Sequence, residues 1–272
     1  MIIKLENEDR EAFAGVLPKN VNLKGFRVAL GAAGSDGTVY GAVSYVLIDH
    51  EYDIDWIYVE PAYRRKGIGT ALMKQALTAI EKSGDRFLAS ARFEYTEEDS
   101  AMHTFFLSLG SWMDVSYSHE RYYLDPENIE SSHLAARKRN TQDKPVPFFM
   151  LPTVLQKKIL YRLFEKGVYV INNPDRWREE ICGELSRVVM KGNEPVCIIF
   201  VRKDVNGNLS LDYLYSRDMQ GMLELISYTA ADALRLYPDS VLYYDCLEES
   251  TSKISGRLFP KAEKTYIYEA VF

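Results

Sequence analysis

The chain has 272 residues, 47% of them apolar and 26% charged, an ordinary globular composition that typical domain sizes of roughly 100 to 200 residues would divide in two. Its formal net charge of -6 and pI near 5.4 argue against the basic footprint that nucleic acid demands, while an acidic surface favours cationic or amine substrates. No run of about 18 apolar residues occurs, and the opening MIIKLENEDRE turns charged almost at once. Neither a membrane span nor a secretory leader is therefore expected, and the protein reads as cytoplasmic.

Cys182, Cys197 and Cys246 are odd in number and widely spaced, and His50, His103, His119 and His133 show no paired ligand spacing. Neither a disulfide framework nor a metal is expected.

Along the chain, FRVALGA and TVYGAVSYVLI flank Gly34-Ser35-Asp36-Gly37, and Asp-Gly between strand-like runs predicts a hairpin. IDWIYVEP, short and rich in branched and aromatic residues, predicts the next strand. A helix follows, because Ile68, Leu72, Met73, Ala76, Leu77 and Ile80 fall on one face at a 3.6-residue period. Gly84 reads as its stop. A strand over 87–91, a short helix over about 100–109 and a strand over 115–124 complete an α/β unit.

From 126 to 147 the chain turns polar and lacks aromatics until its closing prolines, the signature of an exposed linker. The expected domains are 1–130 and 151–272, joined by a linker over 131–150. The basic run Arg137-Lys138-Arg139 reads as a solvated linker face. The second half repeats the first in outline: PVCIIFVRKDV, a turn at Asn206-Gly207, LSLDYLYS, a helix near 219–236 and SVLYYDCL. Asp55-Trp56-Ile57-Tyr58 lines up with Asp212-Tyr213-Leu214-Tyr215. Where the first copy inserts VEPAYRRKGIG before its helix, the second has only SRDMQG.

That insertion carries the chemistry. Arg64, Arg65, Lys66, Gly67, Ile68, Gly69 and Thr70 open a helix N-terminus, where glycines let backbone amides close around an anion and the helix dipole adds its positive end. A diphosphate would fit. The lysine-serine ending of a P-loop is missing, and a dinucleotide fingerprint would need a glycine where Leu72 stands. The simpler reading of the segment is a basic turn that merely starts a helix.

Its context, IYVEPAYRRKGIGTALM, resembles motif A of the GNAT superfamily of acyl-CoA N-acyltransferases, and DSAMHTFFLSLGSW is similar, more weakly, to motif B. The resemblance spans about residues 25–125 and implies tandem GNAT-like domains, each a mixed, mostly antiparallel twisted sheet flanked by helices. It implies acetyl-CoA as donor, with backbone groups of Ile57 and Val59 on the pantetheine arm and residues 64–70 on the pyrophosphate. The acceptor is then a small-molecule or peptide amine, the second domain is degenerate, shaping the acceptor cleft or a subunit contact, and a homodimer remains open.

Acetyl transfer needs a neutral amine, and acidic residues beside the acetyl site are the candidate bases. Two-residue alternation puts Asp53 and Asp55 on one strand face with Ile57 and Val59, and many family members have a glutamate where Asp53 stands. Aligning Leu109-Gly110 with motif B places Phe106, on the cofactor side, at the family's usual tyrosine acid. Either Tyr95, Tyr117 or Tyr122 supplies the proton, or thiolate leaves unassisted, or the domain binds acyl-CoA without turnover.

Overall fold

The computed structural model describes residues 1–19, 21, 23, 27–48, 51–83, 88–97, 100–110, 114–125, 128, 145–166, 178, 181–192, 194–204, 206–217 and 219–272. Most of the expected linker and the Gly84 stop lie outside them. The chain forms two compact units, one of Met1–Ser118 with Tyr266–Phe272 and one of His119–Thr265.

The sheet of the first unit holds β1 (Ile2–Lys4), β2 (Arg27–Ala33), β3 (Val39–Ile48), β4 (Glu51–Val59) and β5 (Leu88–Tyr95) side by side in chain order. Every contact is antiparallel except β4 with β5. The β2–β3 hairpin turns at the predicted place: Gly37 takes φ 82, Asp36 caps the Thr38 amide, and the Gly34 amide donates to the Thr38 carbonyl at 2.8 Å. Helix α1 (Ile68–Glu81) buries Leu72, Met73, Ala76 and Ile80 against Leu30, Val43, Tyr45, Ala89 and Phe93, with α2 (Ala101–Leu107) closing the same core. The opposite sheet face is covered by the N-terminal segment through Leu5, Phe13, Val16 and Leu17.

The second unit repeats this plan. It contains part of β6 (Asp114–Leu124), β7 (Val146–Pro147), helix α3 (Thr153–Glu165), β8 (Arg187–Lys191), β9 (Glu194–Lys203), β10 (Leu209–Ser216), helix α4 (Met219–Leu236), β11 (Leu242–Cys246) and helix α5 (Glu249–Leu258). β10 runs parallel to β11 and antiparallel to β9, as β4 does to β5 and β3. Gly207 turns the β9–β10 hairpin with φ 91.

The last strand, β12 (Glu263–Val271), was not anticipated. Its residues 266–271 pair antiparallel with β5 and belong to the first unit, whereas residues 120–124 of β6 pair with β11 in the second. Each sheet is thus finished by a strand from the other half of the sequence. The units therefore follow 1–118 plus 266–272 and 119–265 rather than the boundary at 131–150 that the polar composition suggested, because the chain passes between them inside a strand.

Candidate active site

The site is built where β4 parts from β5. These strands pair only at Glu51 with Leu88, Tyr52 with Ala89 and Asp53 with Ser90. Beyond Asp53, β4 stays bonded to β3 as far as Val59, and β5 to β12 as far as Tyr95. A wedge therefore opens between them, walled by strand edges whose amides and carbonyls have lost a neighbour.

The opening leads to the 64–70 loop. Pro61–Tyr63 forms a 3₁₀ turn, after which Arg65 takes φ 59 and Gly67 φ 77. Left-handed backbone costs a residue other than glycine about 1 kcal/mol or more, so Arg65 is held there by its surroundings. The alternation turns successive amides toward one side, the geometry of an anion nest. Among the described residues, the backbone amides of Arg65, Lys66, Gly67, Ile68, Gly69 and Thr70 meet no acceptor, and the first intrahelical bond runs from the Ala71 amide to the Gly67 carbonyl. No side chain caps the helix. A Cβ on Gly67 would meet nothing within 4 Å, whereas one on Gly69 would come 3.2 Å from the Phe105 ring. The first glycine thus serves conformation, and the second lets α2 approach α1.

The cationic side chains differ in their commitments. Arg64 Nε donates to the Val59 carbonyl at 2.9 Å, with its guanidinium over the Tyr58 ring. Lys66 Nζ donates to the Ala62 carbonyl at 3.0 Å. Arg65 is exposed and makes no side-chain bond with a described residue.

The two aspartates separate. From Ser44 to Val46 on β3 is two steps, but the partners Trp56 and Asp53 on β4 are three apart, so β4 carries a bulge at 54–55. The bulge resets the alternation. Tyr52, Ile54, Ile57 and Val59 face the α1 core, and Tyr58 packs on the opposite face, where Trp56 donates to the Val16 carbonyl. Asp53 and Asp55 lie on that opposite face with Arg27, Ser44 and Arg92, not with Ile57 and Val59 as strict alternation predicted. Asp55 is paired with Arg27 and accepts from Ser44 Oγ at 2.6 Å. The second unit repeats the arrangement: β10 bulges between Leu211 and Tyr213, and Asp212 there takes Arg202 and Ser210. A feature kept in the copy without a phosphate loop belongs to the fold, so Asp55 is a framework residue.

Asp53 has no such partners. No described residue donates a hydrogen bond to it, and the equivalent position in the second unit is Ser210. Removal from water, and then the neighbouring Asp55 charge, push its pKa up to about 6 against the pull of Arg92 and Arg27.

Phe106, expected on the cofactor side, lies in the core instead. It is 1% exposed and packs against Phe93, Phe105 and Phe272, so core packing leaves it no surface to offer a cofactor. Of the tyrosines named from sequence, Tyr122 lies in the second unit, stacked on Tyr244 and bonded to Ser252. Tyr95 and Tyr117 lie in the first. Sequence reading missed Tyr268, delivered by β12: its ring centroid lies 4.6 Å from Tyr95, 5.7 Å from His103 and 6.1 Å from Tyr117. The alternation in TYIYEAV was the available signal.

Comparison with known proteins agrees with this geometry. Residues 6–110, which fall within the first unit, match the model of the Acetyltransferase (GNAT) family. The chain has the fold of tandem GNAT proteins. A tandem GNAT protein from the clavulanic acid biosynthesis pathway is 16% identical, with 98% of this chain and 87% of that one covered and a TM-score of 0.64. A GCN5-related N-acetyltransferase from Sphaerobacter thermophilus is 12% identical, with 93% and 82% covered and a TM-score of 0.59. A putative acetyltransferase from Pyrococcus horikoshii is 14% identical, with 99% and 88% covered and a TM-score of 0.54. No curated protein matches the chain.

Proposed function

We propose that the chain is a cytoplasmic N-acetyltransferase that carries acetyl from acetyl-CoA directly to a small-molecule or peptide amine. The supporting observation is the row of six amides at the foot of α1 that meet no acceptor among the described residues, beside a strand edge that has lost its neighbour. The first suits a diphosphate, and the second suits an extended, amide-bearing arm. Pyrophosphate oxygens accept from the 65–70 amides, with Arg65 as a free counter-charge, and backbone groups of Ile57 and Val59 pair with pantetheine. Hydrogen bonds to charged groups contribute on the order of 1.5–3 kcal/mol each, so three or four reach micromolar affinity.

In the transfer step the amine lone pair attacks the thioester carbon, the carbon–sulfur bond breaks, and CoA departs as thiolate. An alkylammonium of pKa about 10.4 must first lose its proton. Asp53, more basic than an ordinary carboxylate and without a hydrogen bond from any described residue, receives it through a relaying water. Tyr95 or Tyr268 reprotonates the thiolate. No cysteine occurs in residues 1–118 or 266–272, which removes a cysteine-acyl intermediate from this unit.

Free-thiol release from acetyl-CoA with an amine panel tests the reading, with acceptor-dependent turnover expected. A phenylalanine at 106, where the family's usual acid is a tyrosine, favours a second reading, a non-catalytic acyl-CoA-binding protein. That protein would bind CoA by calorimetry yet release no thiol with any amine. Gly67→Asp, which adds bulk and negative charge to the nest, is expected to weaken CoA binding at least 30-fold, about 2 kcal/mol, while changes at Ser216 or Arg217 leave it unaltered. Equal effects at both places would refute the one-site assignment.

A further inference from the structure

The second unit keeps the wedge and lacks the phosphate nest. β10 and β11 pair only at Leu209 with Leu242 and Ser210 with Tyr243, then diverge. The space so opened is a cavity of about 590 Å³, within the roughly 300–1,000 Å³ range of small-molecule sites. Its walls are mainly apolar: Leu211 and Leu214 from β10, Met222 and Ile226 from α4, Ile254 and Leu258 from α5. Leu214 and Ile254 are 38% and 42% exposed.

The charged groups in the wall sort by whether they are already satisfied. Asp212 is held by Arg202 and Ser210. Asp245 is held by Arg121 and His119, which keeps its carboxyl at about 2 against the cost of burial. Arg217 is different: it lines the cavity but makes no salt bridge or side-chain hydrogen bond with a described residue. Glu194, whose charge it feels, is engaged by Arg162 through both oxygens. The Tyr244 hydroxyl, also in the wall, is buried beside Ser255. Apolar volume beside an exposed guanidinium that is unpaired among the described residues is complementary to a single anionic group on a hydrocarbon body.

We infer that the second unit binds an aliphatic monocarboxylate, its chain between β10, α4 and α5 and its carboxylate on Arg217. The site is separate from the acetyl-CoA site of the first unit and does not depend on it.

Calorimetric titration of the full chain with hexanoate, octanoate, decanoate and dodecanoate, all below their aggregation limits, tests this. Affinity is expected to rise roughly fourfold per buried methylene until the cavity fills, with decanol at least tenfold weaker than decanoate. Arg217→Gln should abolish the preference for carboxylate over alcohol and leave decanol binding unchanged. Leu214→Trp, at an exposed wall position, should cut both, and Gly67→Asp should affect neither. Absence of carboxylate binding to the wild-type chain overturns the proposal even if the variants fail to fold. So does equal affinity for decanol and decanoate, or loss of binding in Gly67→Asp, which would place the ligand in the first unit. CoA titration of the same preparations reports on the first site separately.

Discussion

At the residue scale, the pair Asp53 and Asp55 shows how one inserted residue assigns work. Asp55→Ala would leave Arg27, 17% exposed at its side chain, without its partner, and a cost of about 2 kcal/mol in unfolding free energy is expected, with turnover retained in the surviving folded fraction and its acid limb moved to lower pH, since the Asp55 charge no longer raises the Asp53 pKa. Asp53→Asn should do the reverse. Folding raises the Asp53 pKa to about 6, so its contribution to stability is whole below the ordinary carboxylate range and is lost as pH climbs through 6. At pH 7.5 the Asn variant should therefore melt no lower than wild type, and up to several degrees higher, while its acetyl transfer falls by about 100-fold or more. In the wild type, kcat/KM for an amine should rise with pH through about 6. A profile flat from pH 5 to 7 would remove Asp53 from the proton path. The left-handed turn at Gly67 and the helix that starts beside it were legible from residue types and periodicity. The division between the aspartates was not, because a bulge is a property of pairing with β3, and alternation along β4 by itself carries no sign of it.

At the element scale, the β2–β3 hairpin, α1, the β9–β10 hairpin and α4 stand where periodicity and turn residues put them, because each is decided by contacts close in sequence. Helix α3 and strand β12 escaped. Helix α3 buries Gln156 with Ile159, Leu160 and Leu163, a polar residue in the apolar stripe that blurs the pattern. Its Nε2 donates to the carbonyls of Phe149 and Leu151. β12 has an ordinary strand pattern, but its partner β5 lies over 170 residues away, as Glu269 opposite Arg92 records, and nothing local announces such a pairing. Tyr268 shows the functional weight of that strand. Tyr268→Phe and Tyr95→Phe separately, assayed with a fast acceptor, should show which hydroxyl serves the thiolate: the donor's loss lowers kcat about tenfold or more and leaves CoA affinity unchanged.

At the scale of the whole molecule, the repeat visible in sequence as two hairpin–helix–strand runs is real as topology, yet the two copies are not two beads on a string. A chain cut at 130 would carry 119–124 without their β11 partner and would lack 266–272, so the isolated first half is expected to unfold in circular dichroism and to bind no CoA. Supplying 131–272 as a separate polypeptide should restore both, because the missing strand then returns in trans. Rescue by a peptide of residues 263–272 alone would be weaker, as a free strand pays its ordering entropy without support.

The return of β12 also sets a timetable. On the ribosome the nest residues and Asp53 emerge early, but the sheet that holds β5 in place stays open along one edge until residues 263–271 are made, after all of the second unit. A domain written first is thus completed last, and its exposed edge must be kept from other strands for the time that some 150 further residues take to appear, on the order of ten to thirty seconds at ordinary elongation rates.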